Sequence, residues 1–331
     1  MARYLIGVDS GGSKTDAVLT NENGQVLAHV LGGPASASGA PFEASVRNID
    51  QTLDILLKPV GGRMTAVDAA YFGISGCGSK PAHDRFQQVL EQLLPNTAAL
   101  LAGSDSINSI TAEIGSADGI VAICGTGSGA FTRLNGCILP RVDGHGFWVG
   151  DDAGGFNMGR CAIHAALRDE DGRGPQTLLT ELCRKKANCA NMVTAIDAIE
   201  HGGKAAVASY APCLLEAWHA GDAVATQAIE HFAALMAEII RTAGQRTPQT
   251  RKPVILCGSL FRPELGFSAK VQELLGTDYC LINPLMPPVY GAVAYAYHMA
   301  IGHDAPEAYR QQYLRTIKEG VSEHVHECGR T

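Results

Sequence analysis

The sequence of 331 residues lacks several features that mark particular classes of protein. No apolar run reaches about 18 residues, the length that a membrane-spanning helix needs. The first residues show no charged and apolar leader, so we expect neither export nor membrane insertion. Lys and Arg number 26 against 33 Asp and Glu, and the net charge of −7 disfavours nucleic acid or an anionic membrane as a partner. These absences leave a small molecule as the expected substrate.

Paired cysteines are also missing, although the chain has ten cysteines. No two of them have the C-x-x-C spacing of a metal or iron–sulfur site. Most lie in apolar patterns, which is typical of buried thiols in a reducing compartment, so we expect a cytoplasmic protein. His324, His326 and Cys328 offer metal-binding side chains, but they lie in a polar tail and we interpret their placement as incidental.

The length and the hydrophobic content of 46% predict a soluble protein of two domains. We expect an N-terminal domain at 1–117 and a larger C-terminal domain at 118–303, followed by a tail at 304–331 that packs back on the first domain. Strand and helix patterns alternate between residues 69 and 102. This alternation predicts an α/β fold with parallel strands, whose carboxyl ends carry loops available for ligands.

The start of the chain predicts a buried strand, a tight turn and a returning strand. Consecutive turn amides can bind phosphate oxygens, and a carboxylate at a strand end can hold a hydrated Mg²⁺. A Walker A loop is set aside, because a strand pattern follows where that motif requires a helix. The alternative, in which the glycines only turn a β-meander, stays open at this point. The expected contacts of a nucleotide triphosphate here are Asp9, which would also hold the metal, and Gly11, Gly12, Ser13, Lys14 and Thr15.

A second copy of this pattern begins at residue 119. A strand ends at Cys124, a glycine-rich turn follows, and the Asn135-Gly136 pair predicts a hairpin. Residues 125–130 match the dinucleotide fingerprint G-x-G-x-x-A, but that fingerprint must open a helix and here a strand pattern follows. We therefore predict a phosphate-binding turn and an internal structural repeat.

Further candidate residues follow other predicted strands. Asp105 follows the strand at 98–102, where it can cap a helix or accept a proton from a substrate hydroxyl, and the local pattern leaves both readings open. The segment 143–155 combines glycines, aromatic residues and carboxylates, which is typical of sugar pockets but also of a surface turn. Small residues at 258, 259 and 291 either let adenosine approach the backbone or allow close helix packing.

Taken together, six motifs resemble those of the actin-like superfamily of sugar kinases and Hsp70. They are Asp-x-Gly-Gly-Ser-Lys-Thr at 9–15, Gly-Ile-Ser-Gly-Cys-Gly at 73–78, Asp105, Gly-Thr-Gly-Ser at 125–128, Gly-Asp-Asp-Ala-Gly at 150–154 and Leu-Cys-Gly-Ser at 256–259. Within the superfamily, the chain is most similar to the N-acetylglucosamine and glucosamine kinases, which are grouped with the BadF/BadG/BcrA/BcrD-type ATPases.

The resemblance implies two ribonuclease-H-like domains with ATP and Mg²⁺ in the cleft between them. It implies phosphorylation of the 6-hydroxyl of an amino sugar, with Asp105 as the general base, and by analogy a homodimer. The implied nucleotide contacts beyond the first turn are Gly125, Thr126, Gly127, Ser128, Gly258, Ser259 and Gly291. The implied sugar contacts are Ser36, Gly76, Asp105, Thr126, Gly129, His145 and Asp151.

The chain departs from this pattern at three of the implied sugar contacts. Relatives often have Asn in place of Ser36, N-acetylglucosamine kinases often have Asn in place of Gly129, and some have Trp in place of His145. The N-acetyl group is therefore not assigned from the motifs, and glucosamine, N-acetylglucosamine and another hexose stay open.

Two other functions are compatible with the resemblance. The first is an ATP-driven activator of a 2-hydroxyacyl-CoA dehydratase or benzoyl-CoA reductase, which would hold an iron–sulfur cluster between two subunits. The scattered cysteines show no evident ligand pair for such a cluster. The second is a non-catalytic sugar sensor, which the acidic net charge disfavours if the sensor acts on DNA. We favour the kinase.

Overall fold

The structure, a computed structural model, describes residues 3–37, 41–319 and 324–325. His326 and Cys328 lie outside the described residues, and of His324 only the backbone is described. The chain forms two compact units. The first unit takes its residues from Met1–Ala117 and Pro284–Thr331, and the second is Asp118–Asn283.

The first segment of the first unit alternates strands and helices as its apolar patterns predict. The elements are β1 (Tyr4–Ser10), β2 (Thr15–Asn21), β3 (Val26–Gly32), α1 (Phe42–Leu56), β4 (Val67–Ile74), α2 (Lys80–Leu93), β5 (Thr97–Ser104) and α3 (Ser106–Ile114). A 3-10 turn at Lys58–Val60 follows α1.

The second unit begins with another hairpin and then becomes mainly helical. Its elements are β6 (Gly119–Cys124), β7 (Ser128–Leu134), β8 (Cys137–Ile138), α4 (Gly155–Glu170), α5 (Leu178–Ala187), α6 (Ile196–His201), α7 (Gly203–Ala208), α8 (Ala211–His219), α9 (Ala223–Gly244), β9 (Lys252–Cys257), α10 (Phe267–Leu275) and β10 (Tyr279–Ile282). Short 3-10 turns lie at Met192–Ala195, Ser259–Phe261 and Pro263–Leu265. The chain then returns to the first unit as α11 (Pro288–Ile301), α12 (Glu307–Lys318) and β11 (His324–Val325).

The two units share one sheet topology, which confirms the predicted repeat. The strand order is β3-β2-β1-β4-β5 in the first unit, with β11 beside β3, and β8-β7-β6-β9-β10 in the second. In each sheet the first three strands are antiparallel and the last two are parallel to the first. Asn135 and Gly136 both have positive φ, as the predicted two-residue hairpin turn requires. Each unit is therefore a ribonuclease-H-like α/β domain.

The position of residues 284–303 differs from the division expected from the sequence, because they belong to the first unit. A Cβ atom added to Gly7 would lie 2.2 Å from the backbone nitrogen of Val293, so this glycine lets α11 lie directly against β1. Helix α12 packs on the same unit, where the Tyr309 hydroxyl hydrogen-bonds Thr20 Oγ1 at 2.7 Å and Thr316 Oγ1 accepts from the Val26 amide at 3.1 Å. Burial of Tyr309 raises its pKa.

The core of the second unit is built around α9. Among the described helices, only α9 is long and apolar enough to cross a membrane, and this test is also passed by core helices of soluble proteins. Its apolar positions, including Ile229, Met236 and Ile240, are buried in the core of the unit, which accounts for the composition. The described residues contain no disulfide. Of the nine described cysteines four are buried, four are partly buried and Cys137 is exposed, so fewer are buried than the apolar patterns predict; the buried ones are Cys77, Cys124, Cys183 and Cys213.

Candidate active site

Two carboxylates lie at the carboxyl ends of strands in the first unit. Asp9 in β1 pairs with Gly73 in β4, Gly73 pairs with Gly103 in β5, and Asp105 directly follows β5. Burial is the largest cause that raises the pKa of Asp9, to about 6, and the negative charge of Asp105 adds to it. The parallel sheet therefore brings together the two acids that the sequence singled out separately.

Asp105 occupies the N-cap position of α3 but makes no side-chain capping bond to the helix. Its Oδ1 instead accepts from Ser104 Oγ at 3.3 Å, and the Ser75 hydroxyl also bonds to the carboxylate. Burial raises the pKa of Asp105 against the opposing effect of these hydrogen bonds. A carboxylate with a raised pKa is a better proton acceptor than an exposed one, and the role of Asp105 as a base stays a prediction.

Asn108 is a functional candidate that the sequence analysis missed. Its Nδ2 donates to Asp9 Oδ1 at 2.6 Å, and this hydrogen bond opposes the rise in the pKa of Asp9. Its Oδ1 is buried and has no hydrogen-bond partner in the described part of the chain. The signal in the sequence is an asparagine between the apolar residues Ile107 and Ile110, one helical turn after Asp105; only the structure shows that it is buried.

The turn between β1 and β2 presents backbone donors. Gly11 donates its N–H to Lys14 O at 3.0 Å, and no described residue accepts from the N–H groups of Gly12, Ser13 or Lys14. A Cβ added to Gly11 or Gly12 would meet no atom within 4 Å. Consecutive N–H groups beside open space form a concavity that suits a phosphate oxygen.

Thr15 and Ser36, which were expected to contact ligands, are buried in the first unit. Thr15 Oγ1 donates to Gly33 O at 2.7 Å and Ser36 Oγ donates to Ser75 O at 3.2 Å. Each hydroxyl hydrogen is therefore already donated to a backbone oxygen of the first unit. Gly76 lies at the exposed turn after β4 with φ +80°, next to Ser75.

The glycine turn of the second unit, Gly125 to Gly127, also presents backbone donors. No described residue accepts from the N–H of Thr126 or Gly127, while Gly125 O and Thr126 O accept from the first amides of α4, those of Gly155 and Phe156. The turn at Gly258 and Ser259, for which contacts with adenosine were expected, lies beside this glycine turn. A Cβ on Gly258, whose φ is +105°, would lie 2.3 Å from Cys124 O, so only glycine lets the chain pass here toward Ser259.

Asp143 organises the loop before α4, a role that the sequence analysis did not assign to it. Its carboxylate accepts from the amides of Asp151 at 2.8 Å and Asp152 at 3.0 Å. Ser128 Oγ donates to Asp143 Oδ2 at 2.8 Å and accepts from the Ala153 amide at 3.0 Å. The Ser128 side chain therefore supports this loop, which leaves only its backbone for the expected nucleotide contact.

Asp151 lies beside the second glycine turn, since a Cβ on Gly127 would be 2.6 Å from Asp151 Oδ2. The same oxygen accepts from Lys204 Nζ at 2.9 Å, a partner on α7 that no sequence signal indicated. Gly129 lies close to Gly144, and His145 is exposed on the same loop. Four expected residues, Gly127, Gly129, His145 and Asp151, are thus grouped around this loop in the second unit.

Gly291 is closely packed inside the first unit, against α3. A Cβ at this position would lie 1.8 Å from Asn108 O, so glycine lets α11 contact α3. The sequence left adenosine binding and helix packing as alternatives, and the structure shows the packing. A contact between Gly291 and adenosine stays a prediction.

The donor sets fit a metal-bound nucleotide. The described residues contain no group of three His, Cys, Asp or Glu that could hold a metal ion by themselves. Mg²⁺ does not need such a group, because it is usually held by one or two carboxylates together with water and phosphate oxygens. Burial and the negative charge of Asp105 raise the pKa of Asp9, and a cation beside Asp9 would offset both effects. The unpaired turn amides suit the phosphate oxygens of the nucleotide.

Comparison with known proteins gives one family match over most of the chain. A model of the BadF/BadG/BcrA/BcrD ATPase family matches residues 6–296. Over 177 residues the chain is 28% identical to the N-acetylmuramic acid/N-acetylglucosamine kinase of Clostridium acetobutylicum, covering 54% of this chain and 58% of that protein. It is 26% identical over 192 residues to the N-acetyl-D-glucosamine kinase of Dictyostelium discoideum, covering 55% of this chain and 60% of the relative. These alignments span less than two thirds of either relative.

Solved structures share the fold over a greater length. A Chromobacterium violaceum protein with the provisional name N-acetylglucosamine kinase has a TM-score of 0.67 at 26% identity, with 88% of this chain and 98% of that chain covered. A ROK family glucokinase from Streptomyces griseus, solved with glucose and AMPPNP, has a TM-score of 0.54 at 16% identity, with 88% of this chain and 98% of that chain covered. At this identity the glucokinase shows a shared fold alone.

Proposed function

The chain belongs to the BadF/BadG/BcrA/BcrD ATPase family, and from this premise we propose that it is an ATP-dependent hexosamine kinase. It transfers a phosphoryl group to the 6-hydroxyl of N-acetylglucosamine or glucosamine. The observation that carries the proposal is the placement of Asp9 on β1 and of Asp105 directly after β5, at the same edge of one sheet with β4 between them, where burial raises the pKa of both carboxyls. The names of the relatives from Clostridium acetobutylicum and Dictyostelium discoideum support the choice of an amino sugar.

Asp105 acts as the general base in this proposal. It orients the attacking hydroxyl and accepts its proton, while Ser104 and Ser75 hold the carboxylate by hydrogen bonds. Burial raises the pKa of Asp105, which makes the carboxylate a better proton acceptor than an exposed one. Phosphoryl transfer otherwise asks the protein for alignment and for stabilisation of charge.

The phosphate contacts are backbone groups. In the first unit the amides of Gly12, Ser13 and Lys14 donate to phosphate oxygens, and in the second unit those of Thr126 and Gly127 do the same. Asp9 would hold Mg²⁺, and Asn108 would orient its carboxylate for that task through the 2.6 Å hydrogen bond. The metal supplies positive charge that offsets the charge of the triphosphate. Gly258 and Ser259 contact adenosine.

Sugar recognition is assigned to Asp151, with Gly76, Gly129 and His145 as further contacts. The ion pair with Lys204 limits the rotation of the Asp151 side chain, so the remaining lone pairs of the carboxylate accept from sugar hydroxyls in a defined direction. Ser36 supports the site indirectly, because its hydroxyl donates to the backbone oxygen of Ser75.

A coupled assay of ADP release tests the proposal with a panel of glucosamine, N-acetylglucosamine, N-acetylmuramic acid, glucose and mannose. We expect sugar-dependent ADP release with an amino sugar, and a phosphate ester on carbon 6 of the product by phosphorus–proton NMR. Asp84→Asn is the matched control for Asp105→Asn, because Asp84 is an exposed acid on α2 of the same unit. Absence of turnover with every sugar, or a protein that contains iron and sulfide, would reject the kinase.

A further inference from the structure

The second unit contains a groove between α4 and α9 that the proposed mechanism does not use. Its volume is about 520 Å³, which lies in the range of small-molecule sites. The α4 wall is a single face with Arg160, Cys161 and His164, and the α9 wall carries His231, Phe232 and Leu235. Asp152, which is exposed, also lines the groove and directly follows the proposed sugar-binding residue Asp151 in the chain. We call this space the α4–α9 groove.

One end of the groove is basic and its bases are unpaired. Arg160, His164 and His231 make no hydrogen bond or ion pair with another residue in the described part of the chain. Arg160 and His164 are one turn apart on α4, so both point to the same side of that helix. Three exposed, nitrogen-rich side chains that line one space suit a phosphate or another oxyanion.

The opposite end is acidic. Burial is the largest cause that raises the pKa of Asp152, and Asp143, Glu238 and Asp151 add to it by charge repulsion. On α9, Glu238 lies about two turns after His231. On the other wall the order is reversed, because Asp152 precedes α4 and the basic residues Arg160 and His164 lie within it. Because Asp152 is near Glu238, the helices run in opposite directions here and the two kinds of charge are separated by about 10 Å along the groove.

The floor between the two ends is apolar. Cys161 is partly buried, Phe232 is buried and Leu235 is partly buried. A ligand that fits must carry an oxyanion at one end, a cation or several hydroxyls at the other, and a compact body with C–H groups between them. A hexosamine bearing a phosphate has this arrangement and this length.

We propose that the α4–α9 groove binds a phosphorylated amino sugar, with its phosphate at Arg160, His164 and His231 and its amino group at Asp152. This rests on the proposed function for the choice of sugar, because the ligand is then the class of product that the reaction releases. Occupancy next to Asp152 stabilises the loop that Asp143 also holds through the amides of Asp151 and Asp152. The groove thus couples the product level to the proposed sugar-binding loop.

Titration calorimetry without nucleotide measures the binding directly, with glucosamine 6-phosphate, glucose 6-phosphate, inorganic phosphate and glucosamine as probes. We expect glucosamine 6-phosphate to bind more tightly than any other probe. Arg160→Gln and His231→Gln each weaken it by about tenfold, the loss expected for one hydrogen bond to a charged group. Asp152→Asn weakens glucosamine 6-phosphate but not glucose 6-phosphate. Arg168→Gln, on the same helix but bonded to Arg173 O, is the control.

Alkylation of Cys161 places the ligand in the groove independently of affinity. Burial raises the pKa of Cys161, so labelling is followed by mass spectrometry at alkaline pH. Glucosamine 6-phosphate protects Cys161 and leaves the exposed Cys137 unchanged. Unchanged labelling of Cys161, or binding that survives Arg160→Gln and is lost in Asp105→Asn, would overturn the groove and place the ligand with Asp105. Neither measurement requires turnover, so binding in the groove can be tested even if the kinase assay fails.

Discussion

The side-chain amide of Asn108 donates to the carboxylate of Asp9 across 2.6 Å, and this bond ties the first turn of α3 to the end of β1. Asn108 is itself enclosed, because Gly73 and Gly291 both leave room for it. One buried amide therefore sets the direction of the carboxylate that we assign to the metal. Its neighbours make it rigid, which is the condition for a preorganised site.

Asn108→Ala should lower the free energy of unfolding by about 1.5–3 kcal/mol, the contribution of a hydrogen bond to a charged group. It should also raise the pKa of Asp9 further, because the bond opposes that rise. Urea denaturation at pH 8 measures the first effect, and the pH dependence of the free energy of unfolding measures the second. Gln88→Ala removes an exposed amide from α2 of the same unit and serves as the control. Equal stability of the two variants would contradict the role of Asn108.

Asp9→Asn should make the protein more stable at pH 8 while it abolishes metal-dependent nucleotide binding. The native pKa of Asp9 is about 6 against an ordinary value of 3.8, so the folded state binds the proton more tightly than the unfolded state does. The contribution of this group to the free energy of unfolding is therefore fully present below about pH 4 and is lost as the pH rises through about 6, a change of roughly 3 kcal/mol.

The measurement is the difference in free energy of unfolding between wild type and Asp9→Asn at pH 4, 5, 6 and 8. Asp84→Asn, which changes an exposed carboxylate paired with Lys80, should show no such trend. A pH-independent difference for Asp9→Asn would show that burial and Asp105 do not raise the pKa of Asp9.

Asp105→Asn should keep the fold and the affinity for ATP but reduce turnover by about 10² to 10⁴, the usual contribution of general-base catalysis. The asparagine retains the shape of the side chain and its bonds to Ser104 and Ser75 but cannot accept the proton. The measurements are ADP release with saturating sugar and nucleotide affinity by calorimetry. Undiminished turnover would remove Asp105 from the mechanism.

Gly12→Ala and Gly291→Ala should separate a ligand-binding glycine from a packing glycine. The added Cβ at residue 12 meets nothing within 4 Å, so the protein should fold normally and bind ATP more weakly. At residue 291 the Cβ would lie 1.8 Å from Asn108 O, and overpacking of this kind typically costs about 1–3 kcal/mol or more. Thermal unfolding and nucleotide titration of both variants decide between the two roles. A stable Gly291→Ala with weak ATP binding would reverse our assignment.

The local elements of this protein were predictable because their signals are short-range. The hairpin at 119–138 follows from an apolar run, a glycine turn and the Asn135-Gly136 pair, all within one stretch of chain. The pattern after Gly125 predicted a strand where a dinucleotide-binding fingerprint requires a helix, and the structure confirms that strand as β7. The matching strand orders of the two units confirm the repeat that was inferred from the order of these signals.

Other features depended on contacts between distant residues. The division at 303 was misplaced because α11 looks like the last helix of the second domain in the sequence, whereas Gly7 and Gly291 let it pack in the first unit. The tail at 304–331 was expected to pack back on the first domain, and α12 does so through a few buried residues, among them Tyr309 and Tyr313. No pattern within α11 reveals the surface on which that helix packs.

By itself, the sequence determined the strands, the hairpins, the repeated topology and the identity of the acids at the strand ends, since each depends on neighbours a few residues apart. Only the tertiary structure decided that Asn108 holds Asp9, that Lys204 pairs with Asp151, and that Asp143 holds the loop before α4. It also decided which glycines face open space and which are enclosed by other helices. The physical reason is that burial and hydrogen bonding act through space, between residues whose separation along the chain carries no periodic signal.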